Sequence, residues 1–288
     1  INILLLFSIS LFDDQILYKF LLLKEKKEVF VFFISCLVLF LLGFLDDKFK
    51  LNAYLRFLIF IVLFSFIAED SHLRIDYIQL SFFKEKLFLN SFSYLLTVLC
   101  FLLFVNAFNF FDGINLQSGI YSLFLSIIIC FINNSLFFFY ILIFFLLIFL
   151  YLNYKNKTFL GDSGTYLLSF IFSYYFIKLY NMRYIVNADE IVVLMIIPGL
   201  DLFRLFCLRI INKKNPFIAD KNHIHHLILK KFGYLHANFI LFLLITLSYL
   251  FYKFFVIKSL SIFCIILIYF LVIYFFSKKS SNNDKIKF

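Results

Sequence analysis

Residues 29–51 read VFVFFISCLVLFLLGFLDDKFKL. An uninterrupted apolar run stops at Gly43-Phe44-Leu45 and gives way to two adjacent carboxylates, Asp46 and Asp47. A helix needs about 20 apolar residues to cross a bilayer core. An acidic side chain at the centre of that core costs roughly 2.5–3.5 kcal/mol. The run therefore reads as a membrane span and the two acids as its aqueous end. The pattern repeats along the chain. Asn106-Ala107-Phe108-Asn109-Phe110-Phe111-Asp112-Gly113, Phe159-Leu160-Gly161-Asp162-Ser163-Gly164 and His223-Ile224-His225-His226 are further polar clusters between apolar stretches. Two spans separate each cluster from the next, so all four face one aqueous compartment.

The composition agrees. Of 288 residues, 64% are hydrophobic, against about 45–50% in soluble domains. The expected fold is an all-α, polytopic transmembrane helix bundle of about ten spans, one integral domain over residues 1–288. The spans are placed at 1–12 (partial), 29–45, 52–68, 91–108, 115–132, 136–153, 164–180, 190–208, 238–253 and 259–276. The chain opens on Ile1 inside an apolar run too short to cross alone, so an N-terminal truncation is expected. The loop at 69–90 alternates apolar residues at Leu73, Ile75 and Tyr77, which predicts a strand or hairpin on the outer face.

The net charge of +10 does not point to nucleic acid. The lysines lie mostly in short loops beside spans, where they set topology and meet anionic headgroups. The cluster side carries about 15 Lys or Arg against about 11 opposite, which places it in the cytoplasm by the positive-inside rule. Cys36, Cys100, Cys130, Cys207 and Cys264 sit in apolar runs without ligand spacing and read as small core residues.

Each cluster has a chemical and a structural reading. Asp46 and Asp47 repel one another unless a cation or basic group is near; alone, they could be a solvated helix end. Asn106, Asn109 and Asp112 recur at spacings of three and share one helix face; the asparagines could equally bind neighbouring helices. Asp162 lies at a predicted helix start, where free N–H groups attract phosphate, and its carboxylate suits Mg²⁺; it could also be an ordinary cap. His223, His225 and His226 have basic neighbours and suit a diphosphate better than zinc. Asp201, three residues before Arg204 in a predicted span, reads as an intramembrane ion pair. Arg209 lies at the site-side end of that span, within reach of a phosphate.

In order and spacing, GFLDDKFKL (43–51), NAFNFFDGI (106–114), TFLGDSGTYLLSF (158–170), IPGLD (197–201) and PFIADKNHIHHLILKKFGY (216–234) resemble the polyprenyl-phosphate N-acetylhexosamine-1-phosphate transferase family (glycosyltransferase family 4). The His-x-His-His form is similar to the undecaprenyl-phosphate N-acetylglucosaminyl 1-phosphate transferase branch. The related muramyl-pentapeptide enzymes have consecutive histidines there. The resemblance implies transfer of N-acetylhexosamine 1-phosphate from a UDP-sugar, with UDP-GlcNAc the first choice, to undecaprenyl phosphate. UMP leaves, and a lipid-linked intermediate of a cell-envelope glycan such as O-antigen lipopolysaccharide forms. It implies Mg²⁺, or alternatively Mn²⁺, held by Asp162 and Asp112. It implies catalytic roles for Asp46, Asp47, Asp112 and Asp162, with Asp46 the candidate base. Asn106, Asn109, Arg209, His223, His225 and His226 would bind substrate. The expected partners are a polyprenyl phosphate, a UDP-N-acetylhexosamine and the bacterial inner membrane, with no nucleic acid and with a homodimer left open. One departure bears on metal affinity or sugar preference: Asn115-Leu116 stand where the family often has a second Asp-Gly. The alternatives are a phospho-N-acetylmuramoyl-pentapeptide transferase, an ion-coupled transporter with acids in broken mid-membrane helices, and a non-catalytic scaffold.

Overall fold

The computed structural model describes residues 20–23, 25–213 and 222–283, with side chains described as far as 277. Eleven helices follow in the described residues: α1 (Lys26–Phe49), α2 (Ala53–Ala68), α3 (Ser93–Phe111), α4 (Gln117–Ile132), α5 (Phe137–Tyr154), α6 (Gly161–Asn181), α7 (Ala188–Leu194), α8 (Ile196–Ile211), α9 (Ile224–Phe232), α10 (Tyr234–Phe254) and α11 (Lys258–Asn283). The all-α, multi-pass expectation holds. The span count does not. Five helices in the described residues are long and apolar enough to cross a membrane, or six if the bent pair α7–α8 is one span.

The shortfall has physical causes. The expected spans 52–68 and 115–132 are α2 and α4, of 16 residues each. At 1.5 Å per residue these reach about 24 Å, short of a hydrocarbon core of about 30 Å. The expected span 164–180 is α6, long enough but rich in Ser, Thr and Tyr. It lies at the centre of the bundle, with α1 and α3 along it, and it is buried from Thr165 to Tyr180 save for Leu167. A helix wrapped in protein need not be apolar towards lipid. The expected first span, 1–12, lies outside the described residues.

The stretch expected as one span at 190–208 is broken, with α7 and α8 meeting at 74°. Pro198 has no N–H to give to the carbonyl of Leu194, so a continuous helix would lose that bond. Tyr121 of α4 takes over: its hydroxyl donates to the Leu194 carbonyl at 3.0 Å. The bend turns α8 along α3.

At the opposite end, Tyr77–Ile78 (β1) pairs antiparallel with Leu87–Phe88 (β2). This is the expected hairpin, with Leu73 and Ile75 buried ahead of it rather than in the strand. Beneath this end, Lys178 of α6 is ion-paired with Glu28 of α1, and Tyr174 donates to the same carboxylate at 2.8 Å. Among the cysteines, Cys36 and Cys130 are buried, the other three are half-buried, and all five are free.

Candidate active site

The turn after α1 builds the first part of the site. Lys50 adopts φ 51°, and its N–H donates to the Asp46 carbonyl, ending the helix. Asn52 then caps α2 by accepting the Tyr54 N–H at 3.0 Å. This tight reversal carries Arg56 back to Asp46. The Arg56 Nη1 donates to Asp46 Oδ2 at 2.5 Å and to the Tyr166 hydroxyl at 3.1 Å. Tyr166 of α6 donates to the same Oδ2 at 2.7 Å, and the Leu51 N–H donates to Oδ1 at 2.9 Å. Asp46 is therefore 3% exposed with both oxygens engaged.

Asp47, the next residue, is exposed and points at the start of α6. Its carboxylate accepts the N–H of Asp162 at 2.9 Å and of Ser163 at 3.2 Å. It is thus a helix cap supplied from another helix, satisfying two orphan donors and meeting the positive end of the α6 dipole. The approach is close because Gly161 and Gly43 allow it. Gly161 has φ 65°, and a Cβ there would lie 2.7 Å from Asp47 Oδ2. Asp162 is accordingly a first-turn residue rather than the cap. Its Oδ1 accepts from Asn109 of α3 at 2.8 Å.

Asp112 closes α3 and accepts a hydrogen bond from Ser118 of α4. Burial pushes its carboxyl up to about 6; the Ser118 bond pulls the other way, and the negative charges of Asp162 and Asp47 add to the rise. Three carboxylates from separate segments thus act on one another. Beside them lies a cleft of about 250 Å³ whose walls include Asp112, Asn115, Ser118, Asn153 and Gly161. A larger cavity, about 380 Å³, lies at the far end around Glu28, Arg74 and Lys178, away from the clusters.

The histidine segment reaches the same place. His223 stacks on Phe110 of α3 with ring centroids 5.6 Å apart, and His225 stacks on His223 at 5.3 Å. Arg209 is 6.0 Å from the Phe110 ring. The His225 ring abuts Gly113 so closely that a Cβ there would overlap Nε2. His225 is 1% exposed and neither ring nitrogen hydrogen-bonds among the described residues. Burial, with His226 and His223 adding, drives its pKa down to about 3, so it is neutral at ordinary pH.

Most of the sequence-predicted residues therefore meet. Asn109 joins Asp162, Asp47 joins the α6 start, Gly113 meets His225, and Arg209 and His223 share Phe110. His226 packs on His225. Asn106 stands apart, giving its amide to its own helix at the Leu102 carbonyl, 2.7 Å away. Asn115, at the departure from the family pattern, donates to Asn156 at 2.6 Å, and its carbonyl accepts from Asn238 of α10. The neighbouring Leu116 has φ 75°, a conformation that glycine adopts without strain.

Two groups escaped the sequence reading. Arg56 and Tyr166 hold Asp46; a lone arginine inside the apolar stretch 52–68 was the available signal. Asp201 pairs with Arg204 at 2.8 Å as expected, but it also contacts His223 Nδ1 at 2.8 Å. No local pattern announces that second contact.

The carboxylates here are of the donor type that would suit Mg²⁺. The carboxylates crowd one another, and carboxylate oxygen suits a hard cation. Among the described residues no three His, Cys, Asp or Glu side chains form a complete metal cage.

The chain is similar to known proteins. The family profile described as "Glycosyl transferase family 4" matches residues 29–180. A Bacillus subtilis (strain 168) protein named "Probable undecaprenyl-phosphate N-acetylglucosaminyl 1-phosphate transferase" is 30% identical over 222 residues, 72% of this chain and 60% of the relative. The "Undecaprenyl-phosphate alpha-N-acetylglucosaminyl 1-phosphate transferase" of Thermotoga maritima is 30% identical over 83% of this chain and 76% of its own length. The Salmonella typhi protein of the same name is 25% identical over 73% of this chain and 60% of its own length. The chain thus spans about 60% of the length of the Bacillus and Salmonella relatives. The profile covers more than half of the chain, including the clusters at 43–47, 106–113 and 159–164, and on that ground the chain belongs to glycosyl transferase family 4.

Proposed function

We propose that this protein transfers N-acetylhexosamine 1-phosphate from a UDP-sugar, with UDP-GlcNAc the first choice, to undecaprenyl phosphate. A phosphate oxygen of the lipid attacks the sugar-bearing phosphorus and UMP leaves. The observation that carries this reading is the convergence of Asp47, Asp112 and Asp162 with His223, His225 and Arg209 at one end of the bundle. The names of the relatives support the lipid and the sugar phosphate.

Phosphoryl transfer calls for positioning and charge neutralisation more than for covalent help. Asp162 and Asp112 would hold Mg²⁺, which when bound supplies charge neutralisation to the diphosphate. Asn109 fixes the orientation of Asp162 by its 2.8 Å bond. Arg209, His223 and His226 would meet the phosphate oxygens. The lipid phosphate monoester has a second pKa of about 6 and is largely dianionic at neutral pH. It needs no strong base. The engaged carboxylate of Asp46 therefore supports an anchoring role there in place of the base expected from the sequence. The product would feed an envelope glycan, with the site on the cytoplasmic face of the inner membrane, where the Lys and Arg excess points.

The broken helix α7–α8 is a feature a transporter would share. Its three buried acids are engaged within the protein: Asp201 by Arg204, Tyr269 and His223, Asp189 by Ser81 and Tyr252, and Glu190 by Tyr249 and Lys253. The test is transfer of radiolabelled sugar phosphate from UDP-GlcNAc and UDP-GalNAc into undecaprenyl phosphate, with Mg²⁺, with Mn²⁺ and with chelator. Asp162→Asn is expected to abolish transfer while leaving folded protein in the membrane. Full turnover by that variant, or indifference to chelator, would refute the assignment.

A further inference from the structure

We infer that Asp201 is a positioning residue for the transfer: it fixes the ring orientation of His223 and keeps a proton on Nδ1, so that Nε2 is the nitrogen that faces the substrate phosphates and, on taking up a proton, donates to a phosphate oxygen. The inference rests on the proposed function for what His223 serves, but its geometry stands alone.

The bend between α7 and α8 sets the direction of α8, and three residues after Pro198 Asp201 lies buried, 3% exposed. An acid so placed needs several donors, and it has them in a sorted arrangement. Oδ1 accepts from Arg204 Nη2 at 2.8 Å and from the Tyr269 hydroxyl at 2.9 Å. Oδ2 faces His223 Nδ1 at 2.8 Å. The Ile224 N–H lies 3.2 and 3.3 Å from the two oxygens, so the same carboxylate caps α9. Arg204 is itself held by Tyr269 at 3.0 Å and by the Asn222 carbonyl at 2.7 Å.

An ion pair with Arg204 alone would explain one oxygen. The second oxygen goes to the imidazole, and a carboxylate can only accept there, so Nδ1 carries the proton. The ring is also held by stacking against Phe110 and against His225. Tautomer, tilt and height of His223 are thus all determined by neighbours. That is the arrangement by which a buried carboxylate prepares a histidine for chemistry at its far nitrogen.

Asp201→Asn separates this role from a purely structural one. Arg204 and Tyr269 both donate, so they keep the amide oxygen. The amide nitrogen then meets Nδ1, which must become an acceptor, and the proton moves to Nε2. Tyr269→Phe removes one donor from Oδ1 and leaves the His223 contact intact. The experiment compares kcat and KM of the full chain and both variants in detergent. It also records ¹⁵N signals of labelled histidines at about pH 8, where an ordinary imidazole is neutral, with His223 assigned from a His223→Gln sample. The expected result is a His223 protonated at Nδ1 in the unmodified protein and at Nε2 in Asp201→Asn. For that variant kcat should fall ~100-fold, with KM for both substrates within about threefold. Tyr269→Phe should keep kcat within about twofold. Equal losses in the two variants, or undiminished kcat in Asp201→Asn, would overturn the inference. So would a His223 protonated at Nε2 in the unmodified protein, a reading that needs no variant to fold. Failure of the unmodified chain to transfer any sugar phosphate would instead strike the proposed function.

Discussion

Gly43 of α1 lies against the backbone of Ser163 in α6, with no room for a side chain between them. This contact sets the distance from which Asp47 reaches the α6 N–H groups. Gly43→Ala forces a Cβ into Ser163 Cα and N, which are backbone atoms that cannot swing aside. The helices must part. Overpacking of this kind costs roughly 1–3 kcal/mol, and Asp47 loses its hold on Asp162 and Ser163. The expected outcome is a lower thermal midpoint in detergent together with loss of transfer. Gly199, with open space around it, is the control: Gly199→Ala leaves both unchanged.

Removing Arg56 leaves the Asp46 carboxylate buried without its counter-charge. Breaking one side of a buried pair costs about 3–5 kcal/mol. The Tyr166 and Leu51 bonds remain, and the Arg56 side chain is 29% exposed, so a value near the bottom of that range is expected. Arg56→Ala should therefore lower the thermal midpoint more than Arg56→Lys does. Asp46→Asn combined with Arg56→Ala should restore part of the loss, because no buried charge is left unmatched. A double variant no more stable than Arg56→Ala would show that the pair does not act as a unit.

Leu116 is held at φ 75° by its neighbours: its N–H donates to Asn153 Oδ1 at 2.6 Å, and its carbonyl accepts from Ile120. A left-handed conformation costs a residue with a Cβ about 1–3 kcal/mol. Leu116→Gly releases that strain at the price of some apolar contact, since Leu116 is half-buried. A net gain of about 1 kcal/mol is expected. Leu116→Ala keeps the strain, loses the contact, and should lower stability. The two variants therefore move the thermal midpoint in opposite directions.

Much of the bundle is legible in the residue pattern, and the exceptions share a cause. Hydrophobic runs give the helices α1, α3, α5, α10 and α11 because those helices face lipid. The buried α6 is expected as a span, but its polar side chains face protein, so it is not among the helices apolar enough to be counted as crossing. Pro198 is visible in the chain, yet the break at Leu194 depends on Tyr121 accepting the role of partner from another helix. The site shows the same division. Asp47, Asp112, Asp162 and the histidines stand out in the sequence as polar breaks between apolar runs. Which side chain bonds which is decided by helix rotation. The pairs Asp46–Arg56, Asp46–Tyr166 and Asp201–His223 are consequences of packing, and so is the turning of Asn106 onto its own helix.

Acid should act on this fold through two groups of opposite sign. His225 is held neutral, with a folded value of about 3 against an ordinary 6.5. Between those values the unfolded chain binds the extra proton, so stability falls as pH drops below 6.5. Asp112 has a folded value of about 6 against 3.8. Its folded form binds the extra proton in that window, so it favours folding as pH falls through 6 and is a liability above it. Thermal midpoints in chelator across about pH 4–7 separate the two. His225→Asn should lessen the acid-side loss, and Asp112→Asn should raise the midpoint near neutral pH. Identical pH profiles for the unmodified protein and His225→Asn would show that the buried imidazole does not govern acid stability.

Gly113 joins the acidic and histidine halves of the site, since a Cβ there would overlap the His225 imidazole beside Asp112. Gly113→Ala places a methyl group on Nε2. The ring sits at the start of α9 and is stacked on His223, so it cannot move alone. Displacement passes to His223 and its bond with Asp201. A misplacement of about 1 Å can cost ~100-fold in rate, and a loss of that order in kcat is expected for Gly113→Ala. Shortening the obstructing side chain should relieve the clash: Gly113→Ala combined with His225→Ala recovers the geometry of Asp112 and His223 without the His225 ring. Comparing transfer by the single and double variants measures how much of the loss is steric. A double variant slower than either single one would show that His225 contributes more than shape.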